Sequence, residues 1–199
     1  MTVEITIVDL LRHGEACGGA VYRGSRDDEL TVLGWQAMEA RCASGDWESV
    51  VSSPLLRCRG FGEVYAARRA LPFHTLQEWR EIDFGAWEGR SATEIQASDP
   101  ARWAAFCERP HACPPPGGEA YADFAARVGA GWRRVIDDHA GQRVLAVCHA
   151  GVIRCLFSVL LGLPVERGFA ISVPHAGLTR FTCYRDGGGE FVRLEAHLA

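Results

Sequence analysis

Residues 3–15 read VEITIVDLLRHGE, an apolar run that ends abruptly in charged residues and a glycine. The apolar and β-branched residues predict a buried strand from Val3 to Leu11. In a sheet of parallel strands, the residues directly after a strand lie at the carboxyl edge, where such sheets bind ligands. Arg12 and His13 are therefore expected at the ligand-binding edge of an α/β sheet.

A second predicted strand also ends in a histidine. Residues 143–148 read RVLAVC and lead into His149, after which an apolar helix is predicted from Val152 to Leu161. Neighbouring strand ends open into the same crevice, so His13 and His149 can meet although they are far apart in sequence. A lone histidine is more often a satisfied residue at the edge of a core. Two histidines with arginines beside them favour a binding site.

The rest of the chain alternates strands with helices. The other predicted elements are, in chain order, a helix capped by Thr31, a strand at 50–52, a helix at 55–69, a short strand at 73–76, an amphipathic helix at 119–139 and a closing hairpin at 177–196. This order predicts a single-domain, three-layer α/β/α sandwich around a mainly parallel sheet, over residues 1–199. Residues 77–118 are irregular and contain a proline run, which predicts an insertion that covers the site.

Composition limits the class of partner. The chain has 199 residues, is 48% hydrophobic and carries a net charge of −4, which argues against the broad basic face of a nucleic-acid-binding protein. No apolar run approaches the ~18 residues of a membrane span. The N-terminus does not resemble a secretory signal, and the eight cysteines are scattered without a C-x-x-C pair. We therefore expect a cytoplasmic protein with no metal site and neither a nucleic-acid nor a membrane partner.

Charged residues gather near the predicted strand ends. Arg12 adjoins His13, Arg57 follows the strand at 50–52, and Glu81 lies in the insertion. Arginine presents a rigid fork of donors that suits phosphate oxygens and stays charged. Two histidines, two arginines and a glutamate predict a phosphoryl-transfer site that needs no metal or other cofactor.

The sequence resembles the histidine phosphatase superfamily, the phosphoglycerate mutase-like family, over essentially its whole length. The matching segments are RHGE at 12–15, GSRDDELTVLGWQA at 24–37, SPLLR at 53–57, REIDFGAWEG at 80–89 and CHAG at 148–151. An isolated R-H-G is a weak signal, but five segments in the family's order are a specific one. Residues 16–19 and 58–62 depart from the family's usual pattern, and we expect them to reshape the rim of the phosphate pocket.

The resemblance implies a role for each central residue. His13 is expected to attack phosphorus and form a phosphohistidine, with its other ring nitrogen donating to a backbone carbonyl. Arg12, Arg57 and His149 are expected to bind the phosphate oxygens. Glu81 is expected to protonate the leaving alkoxide and then to activate the hydrolytic water.

Further residues are implied with less specific roles. Four are expected to bind substrate: Arg23, Gly24, Ala150 and Gly151. Asp83 and Glu88 are alternatives to Glu81 as the acid. Glu119 is either a substrate contact or an acidic residue in the first turn of a helix.

Hydrolysis is the expected outcome of the reaction. Mutases of the family carry E-R-H-Y-G where this chain has REIDFG, and they have a longer insertion. The segments DFGAWEG and PGGE most resemble those of α-ribazole phosphatases, which implies α-ribazole 5′-phosphate, a small phosphorylated metabolite of cobalamin nucleotide-loop assembly, as substrate. The alternatives are a broad-specificity or sugar phosphatase, a phosphoglycerate mutase, and an inactive module that binds a phosphorylated ligand. A monomer or a homodimer is expected, since an edge strand within 177–196 offers a pairing surface.

Overall fold

Residues 3–198, which the computed structural model describes, contain one six-stranded sheet. Its strands are β1 (Glu4–Arg12), β2 (Ser49–Ser52), β3 (Phe73–Thr75), β4 (Arg143–Cys148), β5 (Leu178–Asp186) and β6 (Gly189–Leu198). Their spatial order is β3-β2-β4-β1-β5-β6. The first four run parallel to one another, and β5 is antiparallel to both β1 and β6. The sheet is therefore mainly parallel, as predicted.

Helices cover both faces of the sheet. They are α1 (Val32–Cys42), α2 (Leu56–Arg69), α3 (Ala92–Ser98), α4 (Pro100–Glu108), α5 (Tyr121–Asp138) and α6 (Ala150–Leu161). One buried cluster joins α1 and α2 to one face, and a larger cluster joins α5 and α6 to the other. β4 lies between the two layers, which is why it consists of apolar residues on both of its faces. The predicted three-layer α/β/α architecture is confirmed.

Local sequence signals account for the helix ends. Thr31 caps α1, since its Oγ1 accepts from the N–H of Gly34 at 2.9 Å. The helix α6 begins at Ala150, two residues earlier than predicted, and ends at Leu161, where the following Gly162 has a φ of +69°. Since α6 begins directly after His149, its first turn adjoins the carboxyl edge of β4.

The insertion at 77–118 has a small core of its own. It contains two 3-10 helices, Gln77–Trp79 and Gly85–Trp87, followed by α3 and α4. Trp87, Ile95 and Phe106 are buried together, and Tyr22 of the loop after β1 packs against them. This core joins the insertion to the loop after β1.

A buried charge ties the centre of the sheet together. Asp9 of β1 is fully buried and accepts from Nε and Nη2 of Arg180 on β5, each at 2.7 Å. The indole Nε1 of Trp47 donates to the same carboxylate at 2.7 Å.

All eight cysteines are free thiols. In the part of the chain that the structure describes, none of the helices has the length and apolarity needed to cross a membrane.

Candidate active site

The two histidines meet at the carboxyl edge of the sheet. β1 and β4 are neighbours, with Arg12 opposite Cys148, so His13 and His149 emerge side by side. The backbone N–H of His13 donates to the carbonyl oxygen of Cys148 at 2.9 Å. The two imidazole rings lie edge to face with their centroids 5.2 Å apart. This contact was expected from the two strand ends.

His13 is held as a neutral imidazole. Its Nδ1 lies 2.7 Å from the carbonyl oxygen of Gly14, so Nδ1 carries the proton and Nε2 is free. Burial lowers the pKa of His13 well below its ordinary value, and the Arg57 cation lowers it further. A side chain on Gly14 would clash with the backbone of Gly34, so this turn needs glycine. Nε2 thus has an available lone pair at neutral pH.

Arg57 lies beneath the loop that follows β1. It belongs to the first turn of α2 and is fully buried. Its Nη1 donates to the carbonyl oxygen of Arg26 at 2.6 Å, and Nη2 donates to that of Gly24 at 2.9 Å. Its Nε has no partner among residues 3–198. The guanidinium is therefore fixed by the loop and retains one unused buried donor.

Arg12 is held from the opposite side. Its Nη1 donates to the carbonyl oxygen of Val173 at 2.6 Å, and Nη2 lies 2.9 Å from Nε2 of His175. Its Nε, too, is buried without a partner in the described part of the chain. Burial lowers the pKa of Arg12 to about 10, so the side chain remains a cation at neutral pH.

His149 is fully buried, and a serine orients it. Its Nε2 lies 2.7 Å from Oγ of Ser53. Ser53 Oγ accepts from the N–H of Leu55 at 3.3 Å, which leaves its own hydroxyl hydrogen free to point to Nε2. Burial lowers the pKa of His149 well below its ordinary value. A neutral His149 that accepts at Nε2 carries its proton on Nδ1, where it can donate.

Glu81 reaches the start of α6. Its Oε2 accepts from the N–H of Gly151 at 3.0 Å, and its Oε1 accepts from the N–H of Ile82 at 3.0 Å. A side chain on Gly151 would clash with this carboxylate. Burial raises the pKa of Glu81 even though both backbone donors oppose the shift. The structure therefore brings a carboxyl group with a raised pKa to the histidines and arginines.

The backbone around Glu81 is fixed by Arg127 of α5. Nη2 of Arg127 donates to the Glu81 carbonyl oxygen at 3.0 Å, and Nη1 donates to the carbonyl oxygens of Glu78 and Arg80 at 2.8 and 2.7 Å. Glu119 holds the same guanidinium through two contacts of 2.7 Å. Glu119 lies just before α5 and also accepts from the N–H of Asp83 at 3.3 Å. The structure therefore adds a role in positioning Arg127 to the two readings of Glu119.

The two alternative acids have other partners. The carboxylate of Glu88 accepts from the backbone N–H groups of Gly24, Ser25, Arg26 and Phe84 at 2.9–3.3 Å. Asp83 accepts from the N–H of Gly85 at 2.7 Å. Glu88 therefore joins the insertion to the loop after β1, and Asp83 shapes a turn within the insertion.

Two of the expected substrate-binding residues instead support the loop. The N–H of Gly24 donates to Oε1 of Glu88 at 2.9 Å, so this donor has a partner within the protein. Arg23 donates through Nε to Asp28 and through Nη2 to the carbonyl oxygen of Cys17, both at 2.6 Å. Both residues also place their carbonyl oxygens against Arg57. They act on the pocket through that arginine.

The other two expected donors, the N–H groups of Ala150 and Gly151, lie in the first turn of α6 and differ in their partners. The N–H of Gly151 is bound to Glu81. The N–H of Ala150 has no acceptor within the helix, as is general for a first-turn N–H. The N–H of Ala150 is therefore left for a ligand, and the N–H of Gly151 holds the carboxylate of Glu81.

Sequence reasoning missed Ser53, Arg127 and His175. Ser53 lies in the matching segment at 53–57, and that position was a usable signal. Arg127 and His175 carry no local signal, because each acts on a residue far away in sequence. Among residues 3–198, no three His, Cys, Asp or Glu side chains are grouped as ligands for one metal ion.

The family model of the histidine phosphatase superfamily (branch 1) matches residues 8–196. The chain belongs to this superfamily. Within it, a bifunctional protein of Mycobacterium tuberculosis is 32% identical over 194 residues, which cover 93% of this chain and 52% of that protein. The chain thus spans about half the length of this curated relative.

Two further superfamily members are similar over more of their own length. The adenosylcobalamin/alpha-ribazole phosphatase of Escherichia coli is 28% identical over 162 residues, which cover 79% of this chain and 80% of that enzyme. The solved structure of a mycobacterial glucosyl-3-phosphoglycerate phosphatase has a TM-score of 0.85 and 26% identity, and the match covers 100% of each chain.

Proposed function

We propose that this chain is a phosphomonoesterase that hydrolyses a small phosphorylated metabolite through a phosphohistidine on His13, without a metal ion. The hydrogen bond between Nδ1 of His13 and the carbonyl oxygen of Gly14 carries this proposal. It leaves Nε2 unprotonated beside two buried arginine Nε–H groups that have no partner among residues 3–198. A nucleophile beside unused cationic donors suits a phosphate ester.

In the first step, the Nε2 lone pair of His13 forms a bond to phosphorus. The bond between phosphorus and the ester oxygen breaks, and its electron pair stays on the leaving oxygen. Glu81, whose pKa is raised by burial, is protonated and transfers that proton to the oxygen. The products are a phosphohistidine, a free alcohol and the Glu81 carboxylate.

In the second step, water attacks phosphorus and Glu81 removes a proton from it. The bond between Nε2 and phosphorus breaks, which returns the electron pair to His13 and releases inorganic phosphate. Glu81 regains the proton that it lost in the first step. Both steps therefore use one carboxyl group, first as an acid and then as a base.

Four donors stabilise charge on the phosphoryl oxygens. These are the free Nε–H groups of Arg12 and Arg57, Nδ1–H of His149 and the backbone N–H of Ala150. The last lies at the N-terminus of α6, where the helix dipole also favours an anion. Because these donors are already fixed by protein contacts, they need no reorganisation during the reaction.

The names of similar proteins suggest two classes of substrate. α-Ribazole 5′-phosphate has a neutral leaving alcohol, whereas glucosyl-3-phosphoglycerate has an acidic one.

A cytoplasmic location, which we also propose, agrees with eight free thiols.

The proposal is tested by turnover of 4-nitrophenyl phosphate in the presence of a chelator. We expect release of phosphate that the chelator does not affect and that His13→Ala abolishes. No turnover would favour the phospho-ligand-binding module, and turnover lost with chelator would refute metal independence. A panel of α-ribazole 5′-phosphate, 3-phosphoglycerate and sugar phosphates then tests hydrolysis against transfer. Faster formation of 2-phosphoglycerate than of phosphate would favour a mutase.

A further inference from the structure

Arg154 lies on the same helix as Gly151, the residue that holds the proposed acid. It belongs to α6 and follows Gly151 by three residues, so both residues share one face of the helix. The N–H of Gly151 holds the carboxylate of Glu81 at 3.0 Å. Since Glu81 meets the leaving oxygen in the proposed function, Arg154 adjoins the substituents of the alcohol.

The guanidinium of Arg154 has no anionic partner from the protein. Its Nε donates to the carbonyl oxygen of Ile171 at 3.1 Å, and its Cζ lies 5.7 Å from the ring centroid of Phe169. No carboxylate among residues 3–198 forms an ion pair with it, and its two Nη groups make no hydrogen bond there. Burial lowers the pKa of Arg154, and nearby Glu81 opposes this shift. A partly buried guanidinium with unused donors and no ion-pair partner favours a ligand anion beside it.

Tyr22 adds a second donor. Its ring packs against Phe84, with centroids 4.8 Å apart, and against Phe106 at 6.3 Å. Phe106 in turn contacts Phe169, which lies under Arg154. Burial raises the pKa of Tyr22 to about 12, while the nearby Arg154 cation acts in the opposite direction. The phenol therefore stays protonated close to the guanidinium.

The site contains more positive charges than the two negative charges of one phosphate monoester can balance. Arg12 and Arg57 together match the two negative charges of a phosphate monoester. The cation of Arg154, which lowers the pKa of Arg12, is additional. Glu81 cannot balance it in the first step, because there it is protonated. A neutral leaving alcohol would leave the charge of Arg154 uncompensated.

We propose that Arg154 and Tyr22 bind a second anionic group, a carboxylate or a second phosphate, on the leaving alcohol. The preferred substrates are then phosphomonoesters of acidic alcohols rather than of neutral nucleosides. A guanidinium fork and a hydroxyl group suit the oxygens of such an anion. This inference rests on the proposed function, because it assumes that the alcohol leaves on the Glu81 side.

The test compares phenyl phosphate with 3- and 4-carboxyphenyl phosphate. We expect the wild type to have a higher kcat/KM for at least one carboxylated ester. Arg154→Met should lower kcat/KM for that ester about 10- to 100-fold, as for a lost charge-assisted hydrogen bond, and should lower kcat/KM for phenyl phosphate by a smaller factor. Tyr22→Phe should give a smaller loss with the same selectivity. Arg167→Met is the control, because Arg167 is an exposed arginine of the adjoining 3-10 helix, Val165–Ala170.

The outcomes separate this inference from the proposed function. The anion site would be refuted if the wild type had the same kcat/KM for the three esters, or if Arg154→Met lowered kcat/KM equally for all of them. Neither result would contradict the proposed phosphatase activity. A comparable selective loss in Arg167→Met would overturn the anion site as well. No release of phosphate from any of the esters would overturn the proposed function itself.

Discussion

Arg127 donates through Nη2 to the carbonyl oxygen of Glu81 at 3.0 Å, which ties the backbone of the proposed acid to helix α5. The same guanidinium fixes the carbonyl oxygens of Glu78 and Arg80, and Glu119 fixes the guanidinium. The acid thus lies on an irregular insertion, but a regular helix determines its position.

We expect Arg127→Met to lower kcat for alkyl phosphates by up to about 100-fold, since small displacements of a catalytic group have effects of this size. KM should change little, and Arg127→Lys should recover part of the rate. In kcat/KM, which reports the first step, aryl phosphates with good leaving groups should lose less, because they depend less on the acid. Arg133→Met is the matched control on α5, because Arg133 is exposed and forms no ion pair among residues 3–198. An equal loss on alkyl and aryl esters would show that Arg127 does not act through Glu81.

Replacing Glu81 should slow the hydrolysis of esters with poor leaving groups more than that of esters with good leaving groups. Glu81→Gln is expected to lower kcat/KM, which reports the first step, about 10²- to 10⁴-fold for alkyl phosphates and much less for 4-nitrophenyl phosphate. Burial raises the pKa of Glu81, so its acid form should persist above the ordinary carboxyl range. The wild-type kcat/KM for alkyl esters should fall as pH rises through that pKa, and the Glu81→Gln variant should lack this fall. If Glu81→Gln kept the same fall in rate with rising pH, the titrating group would be a residue other than Glu81.

His175 should contribute to the pH dependence of stability. Burial lowers its pKa from 6.5 to about 4, and the Arg12 cation adds to the shift. Between these two values the unfolded chain binds more protons at this residue than the native chain, so the free energy of unfolding falls as pH decreases. His175→Asn should make that dependence shallower in urea unfolding measured from pH 7 to pH 4. The exposed His74 provides the control variant, His74→Asn, and parallel curves for wild type and His175→Asn would refute the prediction.

Asp9 should be required for stability. Asp9→Ala leaves Arg180 and the indole N–H of Trp47 without their acceptor, and we expect a loss of about 3 kcal/mol in the free energy of unfolding. Glu195→Gln, which removes a surface ion pair with Arg193, should cost far less than Asp9→Ala, because solvent screens that pair. Chemical denaturation of both variants tests this. Similar losses in the two would show that burial does not set the strength of the Asp9 contacts.

The sequence was sufficient for the fold and for the residues at its strand ends. Apolar runs that end in Arg12-His13 and in His149 predicted two adjacent parallel strands, because both faces of a central strand must be buried. The cap at Thr31 and the stop at Gly162 follow from local hydrogen bonding and a positive φ. These signals are local, and so they can be read from a single sequence.

The roles that depend on distant contacts could not be predicted. The sequence gives no sign that the backbone N–H of Gly24 has a partner, and only the folded chain shows that it donates to Glu88. Arg127 reads as one more charged residue on an amphipathic helix, although it supports Glu81. Arg154 lies in an apolar helix without any sign that its charge lacks a partner. Each of these roles depends on a neighbour that no sequence spacing specifies.

The central claim is that phosphate passes through Nε2 of His13. The most direct measurement is a rapid acid-free quench during turnover of a ³²P-labelled ester, followed by peptide mapping of the label. We predict an acid-labile, base-stable phosphoryl group on His13 that forms and decays at rates compatible with kcat. It should be absent from His13→Ala. Turnover with label on another residue, or with no label at all under conditions where breakdown limits the rate, would contradict the account.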